Sequence, residues 1–151
     1  MKFHRTILIL TLLPLLLSGC AHNALERDRL ASQINVFGVG PYSDVDYREI
    51  NGVVATEEPC LKGYERSFDA LDIIIGYGFN KKIRKITTRN AGTSMFGVRP
   101  GMTFDEGKKW ILQAGFSEYL PPFTYRANRY TLKLLVGKDN KIFGVTLETL
   151  D

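Results

Sequence analysis

Side chains able to do chemistry are few in this chain of 151 residues, and they are poorly placed for catalysis. The only histidines are His4 and His22, both ahead of the stretch that has to fold. A Ser-His-Asp or Cys-His system needs an imidazole beside its nucleophile. None is on offer. Cysteine occurs twice, at Cys20 and Cys60, so a zinc site would have to be assembled from carboxylates and Cys60 alone. No GxGxxG, phosphate loop, CxxC or EF-hand pattern is present. Asp69 and Asp72 would do acid–base work only if their environments pulled their pKa values apart. As acids flanking a strand, they read as solvated surface. The expectation is a protein that is not an enzyme and uses no cofactor or metal.

The N-terminal residues carry a different chemistry. Met1 to Arg5 is basic, and Thr6 to Leu17 is a twelve-residue run of threonine, isoleucine, leucine and proline only. That pattern reads as an export signal, too short for the roughly 20 residues of a membrane-spanning helix. The run ends in Leu17-Ser18-Gly19-Cys20, which resembles the lipobox of bacterial lipoproteins. The resemblance implies cleavage before Cys20 and a diacylglycerol thioether on its sulfur, giving the two or more acyl chains needed for stable anchoring. The chain then divides into a signal peptide at 1–19, a lipid-anchored tether at 20–35 and a single domain at 36–151. The protein would be held on the extracytoplasmic side of a bacterial membrane. Cys60 would be left without a disulfide partner and would serve as a small buried apolar residue.

The formal net charge of +4 falls to +2 once Lys2 and Arg5 are removed with the signal, so a nucleic-acid partner is not implied. The distribution is less even. Asp44 to Asp72 holds eight acids and three bases, whereas Lys81 to Arg99 holds six bases and no acid. Such asymmetry can steer a charged partner.

An internal similarity organises the domain. Phe37-Gly38-Val39-Gly40-Pro41 recurs as Phe96-Gly97-Val98-Arg99-Pro100 at an offset of 59. Leu71 to Gly76 matches Leu132 to Gly137 at 61, and Lys82 to Thr87 matches Lys141 to Thr146 at 59. Two copies, at about 37–90 and 96–150, are therefore expected to bury a shared core. Each copy ends in a pair of apolar runs that alternate with period two, around Asn80-Lys81 in the first and Lys138-Asp139-Asn140 in the second, which predicts a β-hairpin.

The second copy also carries a helix signal. Thr103 and Glu106 form a capping box, the apolar positions Phe104, Gly107, Trp110, Ile111 and Ala114 share a face, and Gly115 supplies a left-handed stop. The expected helix spans 104–114, with a degraded counterpart near Asp44 to Ile50 and an irregular crossing from Val53 to Ser67. The fold class that follows is α+β: an antiparallel four-stranded sheet from two tandem repeats, each a helix plus a β-hairpin, with the helices packed on one face.

The segment Phe96-Gly97-Val98-Arg99-Pro100-Gly101-Met102-Thr103, followed by an amphipathic helix and two strands, resembles the BamE (SmpA/OmlA) small-lipoprotein family. Two such units in tandem are similar to the architecture of the β-lactamase-inhibitor protein. The resemblance implies a non-enzymatic lipoprotein module of the cell envelope that binds or inhibits another envelope or extracellular protein. Competing expectations are an envelope component that takes a small hydrophobic or anionic ligand, and a carboxylate-based cell-wall hydrolase. The residues expected to meet a protein partner are the basic group Arg84, Lys85, Arg89 and Arg99 and the aromatic group Tyr119, Phe123 and Tyr125, because arginine and aromatic side chains dominate binding hot spots.

Overall fold

The computed structural model describes residues 29–150. Arg29 to Ser32 ends a first unit, in which Ser32 Oγ donates to the Arg29 carbonyl at 2.8 Å; a second unit begins at Gln33. The signal, Cys20 and most of the expected tether lie outside the described residues.

Alternating apolar residues build the centre of the second unit. Ile73–Gly78 (β6) and Ile83–Thr88 (β7) form one hairpin, and Tyr130–Val136 (β11) and Ile142–Thr149 (β12) form another. Four further strands flank them: Thr56–Cys60 (β4), Gly63–Phe68 (β5), Ser117–Leu120 (β9) and Thr124–Ala127 (β10). All join one antiparallel sheet of eight strands in the order β4-β5-β6-β7-β12-β11-β10-β9. The four-stranded sheet of helix-plus-hairpin repeats is therefore wrong, and the protein is mostly β. The physical reason is composition. Thr56-Glu57-Glu58-Pro59-Cys60 is an edge strand whose charges and proline suit an unpaired edge, and β5 points the charged Arg66 inward, so neither shows apolar alternation.

The counterpart helix near Asp44 to Ile50 is also absent. Glu49–Ile50 (β2) pairs with Val53–Val54 (β3) across Asn51-Gly52, whose φ values of 48° and 79° are those of a tight hairpin turn. The expected irregular crossing from Val53 to Ser67 is in fact strand for most of its length.

The two hairpins meet at β7 and β12, where Thr87 pairs with Thr146. These residues are 59 apart, as are Ile86 and Val145, which swap partners with Thr88 and Leu147 across the same seam. Antiparallel strands that pair a residue with its own counterpart are related by a local two-fold axis through that pair. Small details repeat with it. Tyr77 pairs with Ile83 past a bulge at Arg84, and Val136 with Ile142 past one at Phe143. Gly78 N donates to Lys82 O at 2.9 Å, and Gly137 N to Lys141 O at 2.8 Å. Phe37-Gly38 and Phe96-Gly97 share a left-handed backbone, with φ of 51° and 77° against 54° and 80°. Ile34–Asn35 (β1) and Ser94–Met95 (β8) pair with each other beside these turns.

One sheet face carries the core: Ile73, Ile75, Tyr77, Ile86, Leu132, Leu134, Val145 and Leu147 are all buried. Each such aliphatic side chain contributes roughly 1.5–3 kcal/mol. Phe104–Gln113 (α1) covers the second half of that face, one residue shorter than expected because Ala114 is its C-cap. Thr103 Oγ1 accepts from Glu106 N at 3.3 Å, and Glu106 Oε2 accepts from Thr103 N at 3.0 Å, as the capping box requires. Gly107 and Ile111 are the helix residues that reach the sheet. A Cβ at Gly107 would overlap Ile142 Cδ1, so the glycine sets how closely the helix approaches. Trp110 is 48% exposed and lies over Gly97 rather than in the core.

Burial and exposure alternate along β11, which gives a direct test. Leu134→Ala should lower the unfolding free energy in urea by about 2–5 kcal/mol, whereas Lys133→Ala, one residue away on the exposed face, should change it by no more than about 0.5 kcal/mol. Comparable losses would contradict the assignment of faces.

Candidate functional site

The two faces of the sheet offer different chemistry. On the core side of the first half, which α1 does not cover, Arg66 takes over. It is 3% exposed. Its guanidinium donates to Glu57 Oε2 at 2.8 Å, to Asp46 Oδ1 and to the Tyr47 carbonyl at 3.2 Å. It also lies 5.1 Å and 5.3 Å from the rings of Tyr64 and Tyr77, which stack on each other at 4.8 Å. Arg66 thus pins the irregular segment Asp44 to Arg48 onto the sheet. A cleft of about 250 Å³ opens beside it, lined by Arg48, Val54, Ala55, Glu57 and Arg66.

The electrostatics of this cluster suit a clamp rather than a catalyst. The hydrogen bond from Arg66 holds the Asp46 carboxyl below the usual carboxylate range, so it stays ionised and is no general acid near neutrality. Burial pushes the Tyr77 hydroxyl up to about 12, against the opposing effect of the Tyr47 N–H that donates to it at 3.1 Å. Neither group is poised to exchange a proton. Among the described residues no three His, Cys, Asp or Glu side chains come together as a metal site.

The opposite face has no described element over it. A continuous row crosses all eight strands through Thr56, Ser67, Ile74, Thr87, Thr146, Lys133, Thr124 and Leu120, each paired with the next. Hydroxyls dominate it, and at its centre Thr87 Oγ1 and Thr146 Oγ1 are 3.0 Å apart. Charges surround this centre. Lys85 Nζ reaches Glu65 Oε1 at 2.9 Å across Gly76, and the Arg89 side chain lies against Gly144. Side chains at either glycine would crowd these contacts, which explains two glycines inside strands. Lys133 is exposed within the row and Glu148 beside it, and Arg126 sits 5.3 Å from the Tyr119 ring at the far edge. A hollow of about 110 Å³ lies between Ile74, Thr87, Arg89, Asp69 and Asp72.

The residues expected to bind a partner are thereby divided. Lys85 and Arg89 lie on the open face, and Tyr119 reaches it through Arg126. Arg84 occupies the bulge of β7, half-buried, with no hydrogen-bond partner for Nε. Arg99 is exposed in the turn before α1. Phe123 packs edge-on against Phe104 of the helix, 5.3 Å away. Tyr125 is fully buried, its hydroxyl donating to the Pro122 carbonyl at 3.1 Å; it belongs to the core and cannot present itself to a partner. Cys60 is a half-buried free thiol at the end of β4 rather than a core residue. Sequence reasoning missed Arg66 with its two carboxylates and the hydroxyl row. The signal for the row was present in the residues between the apolar ones of each strand, Thr131, Lys133 and Leu135 among them. Cys20 lies outside the described residues, among which no helix is long and apolar enough to cross a membrane. No family model matches the chain, and neither does any curated protein or solved structure.

Burial of Tyr77 has a consequence for stability. The hydroxyl ionises near 10 in an unfolded chain and at about 12 in the folded one, so the unfolded state loses its proton first. This contribution is constant below pH 10 and falls as pH rises from 10 to 12, by up to about 1.4 kcal/mol per pH unit. Urea melts over that range should show the loss in the native chain and a shallower one in Tyr77→Phe.

Proposed function

We propose that this protein is a non-enzymatic, protein-binding lipoprotein module of the bacterial cell envelope, anchored through acylated Cys20, and that its partner docks on the open face of the sheet. The observation that carries the reading is the row from Thr56 to Leu120, which crosses eight strands with no described element over it. Strands about 4.8 Å apart make such a face roughly 34 Å wide, and five or six residues at about 3.3 Å each make it about 18 Å long. The resulting area of about 600 Å² approaches the roughly 800 Å² that each partner commits to a standard protein interface. Its chemistry fits as well. Half-buried Ile74 and Leu135 flank the buried Thr87–Thr146 pair, and the charged side chains of Glu65, Lys85, Arg89, Lys133 and Glu148 stand around it, a mixed surface with polar and charged groups for a partner to meet.

The lipobox at Leu17 to Cys20 and the likeness of residues 96–150 to small envelope lipoproteins support the location. A small hydrophobic or anionic ligand draws less support at this face, because the hollow of about 110 Å³ beside Arg89 is well below the roughly 300–1,000 Å³ of ligand pockets.

Charge reversal separates the open face from the helix side. Lys85→Gln with Arg89→Glu should abolish capture of a partner from detergent-solubilised envelopes and leave the chain folded, since a neutral glutamine in place of Lys85 loses only the part-buried pair with Glu65, at a cost of about 1 kcal/mol. Lys109→Glu, exposed on α1, should capture normally. Loss of capture in Lys109→Glu alone would move the binding surface to the helix.

A further inference from the structure

A second surface lies at the end of the sheet rather than on its face. The β4–β5 turn and the β6–β7 turn adjoin each other there, because Gly63 pairs with Gly78. Two apolar side chains project from these turns: Leu61 is 99% exposed and Phe79 is 81% exposed. Between them lies a cleft of about 400 Å³, lined also by Tyr42, Lys62, Lys82 and Arg84. Lys62 and Lys81 are exposed on the same turns, and the half-buried Arg84 lines the cleft with its Nε buried and without a hydrogen-bond partner. Among the described residues Lys82 pairs with Asp44 at 3.4 Å; neither Cys60 to Gly63 nor Gly78 to Lys85 contains an acid.

The fold does not require Phe79. Its turn is closed by Gly78 N donating to Lys82 O at 2.9 Å and by Asn80 Oδ1 accepting from Lys82 N at 3.1 Å. The counterpart turn, 59 residues on, makes the same two bonds at 2.8 Å and 3.3 Å with Lys138 in place of Phe79 and Asp139 in place of Asn80. One turn geometry thus carries a lysine and an acid at one end of the sheet, and a phenylalanine with no acid at the other. Between two turns of one geometry, the exposed apolar tip and its cationic collar are the departure.

We infer that the Leu61 and Phe79 tips dip into the headgroup region of an anionic lipid bilayer, with Lys62, Lys81, Lys82 and Arg84 contacting lipid phosphates. Apolar side chains that enter the interface, ringed by cations whose stems can lie along apolar surface, are the chemistry by which loops hold to anionic membranes. Charge complementarity selects this occupant over an apolar protein groove, which would leave the lysines unpaired. The contact is independent of the protein-binding face, since the tips are at the end of the strands.

The full chain with Phe79→Trp tests this locally, so that membrane attachment by other segments does not obscure the result. The parent chain has one tryptophan, Trp110, and supplies the background to subtract. Vesicles of phosphatidylglycerol and phosphatidylcholine should shift the emission of the introduced tryptophan to the blue, and brominated acyl chains should quench it. Vesicles of phosphatidylcholine alone should do neither. Adding Lys62→Glu, Lys81→Glu and Lys82→Glu should weaken this tip contact on the order of a hundredfold, from about fivefold for each cation near an anionic surface. The inference is overturned if the emission is unchanged, if neutral vesicles give the same shift, or if Lys138→Trp at the opposite turn responds equally. It is overturned as well if the shift occurs only with native membranes that contain protein, which would make the occupant a protein.

Discussion

Pairing of β7 with β12 is the interaction on which the rest of the molecule depends. Each half of the unit is a four-strand ladder, and alone it would leave the apolar strands β7 or β12 as a bare edge, a template for aggregation. Setting those edges against each other places the most apolar strands at the centre and leaves the exposed strands β4 and β9 outside. The Thr87–Thr146 contact at 3.0 Å sits on the axis of that arrangement. Because the axis is perpendicular to the sheet, equivalent turns end up at opposite ends. The Phe79 tip and the Lys138 tip can therefore diverge in chemistry without meeting.

A sheet with a buried face needs a cover, and the two halves solve this differently. The second half lays α1 across the strands, with Gly107 bringing the helix close to Ile142 and Ile111 filling the gap. The first half has Asp44 to Arg48 instead, a segment too short and too polar to cover apolar strands by itself. Arg66 is turned inward, stacked against Tyr64 and Tyr77, and satisfied by Asp46, Glu57 and a carbonyl. A buried guanidinium is tolerated only with such complete partnering. The polar cover is then a local structural solution, and its carboxylates are committed to it rather than free for chemistry.

Much of the central sheet was legible in the sequence because β6, β7, β11 and β12 bury one face and alternate with period two. The helix was legible for a similar reason: Thr103, Glu106 and Gly115 mark its ends independently of tertiary context. Four flanking strands were not legible. Glu57, Pro59 and Arg66 obscure the alternation that marks β4 and β5, and β9 is exposed along its length, so those strands are specified by pairing rather than by pattern. The 61-residue match between Leu71 and Leu132 also misled. In the structure Tyr77 and Val136, 59 apart, occupy equivalent positions beside the bulges at Arg84 and Phe143. Tyr125 shows the limit for the site: in an aromatic run, which ring faces in is decided by the register with Leu132, and composition carries no trace of it.

The account rests on the sheet face opposite α1 being the working surface. A photo-crosslinking amino acid at Lys133, exposed beside Thr146 in the central row, tests that most directly when the full chain is expressed and irradiated in intact cells. A control at Gln113, exposed on α1, reports the other side. The account predicts a discrete protein adduct from position 133 and none from position 113. An adduct from position 113 with none from position 133 would contradict it.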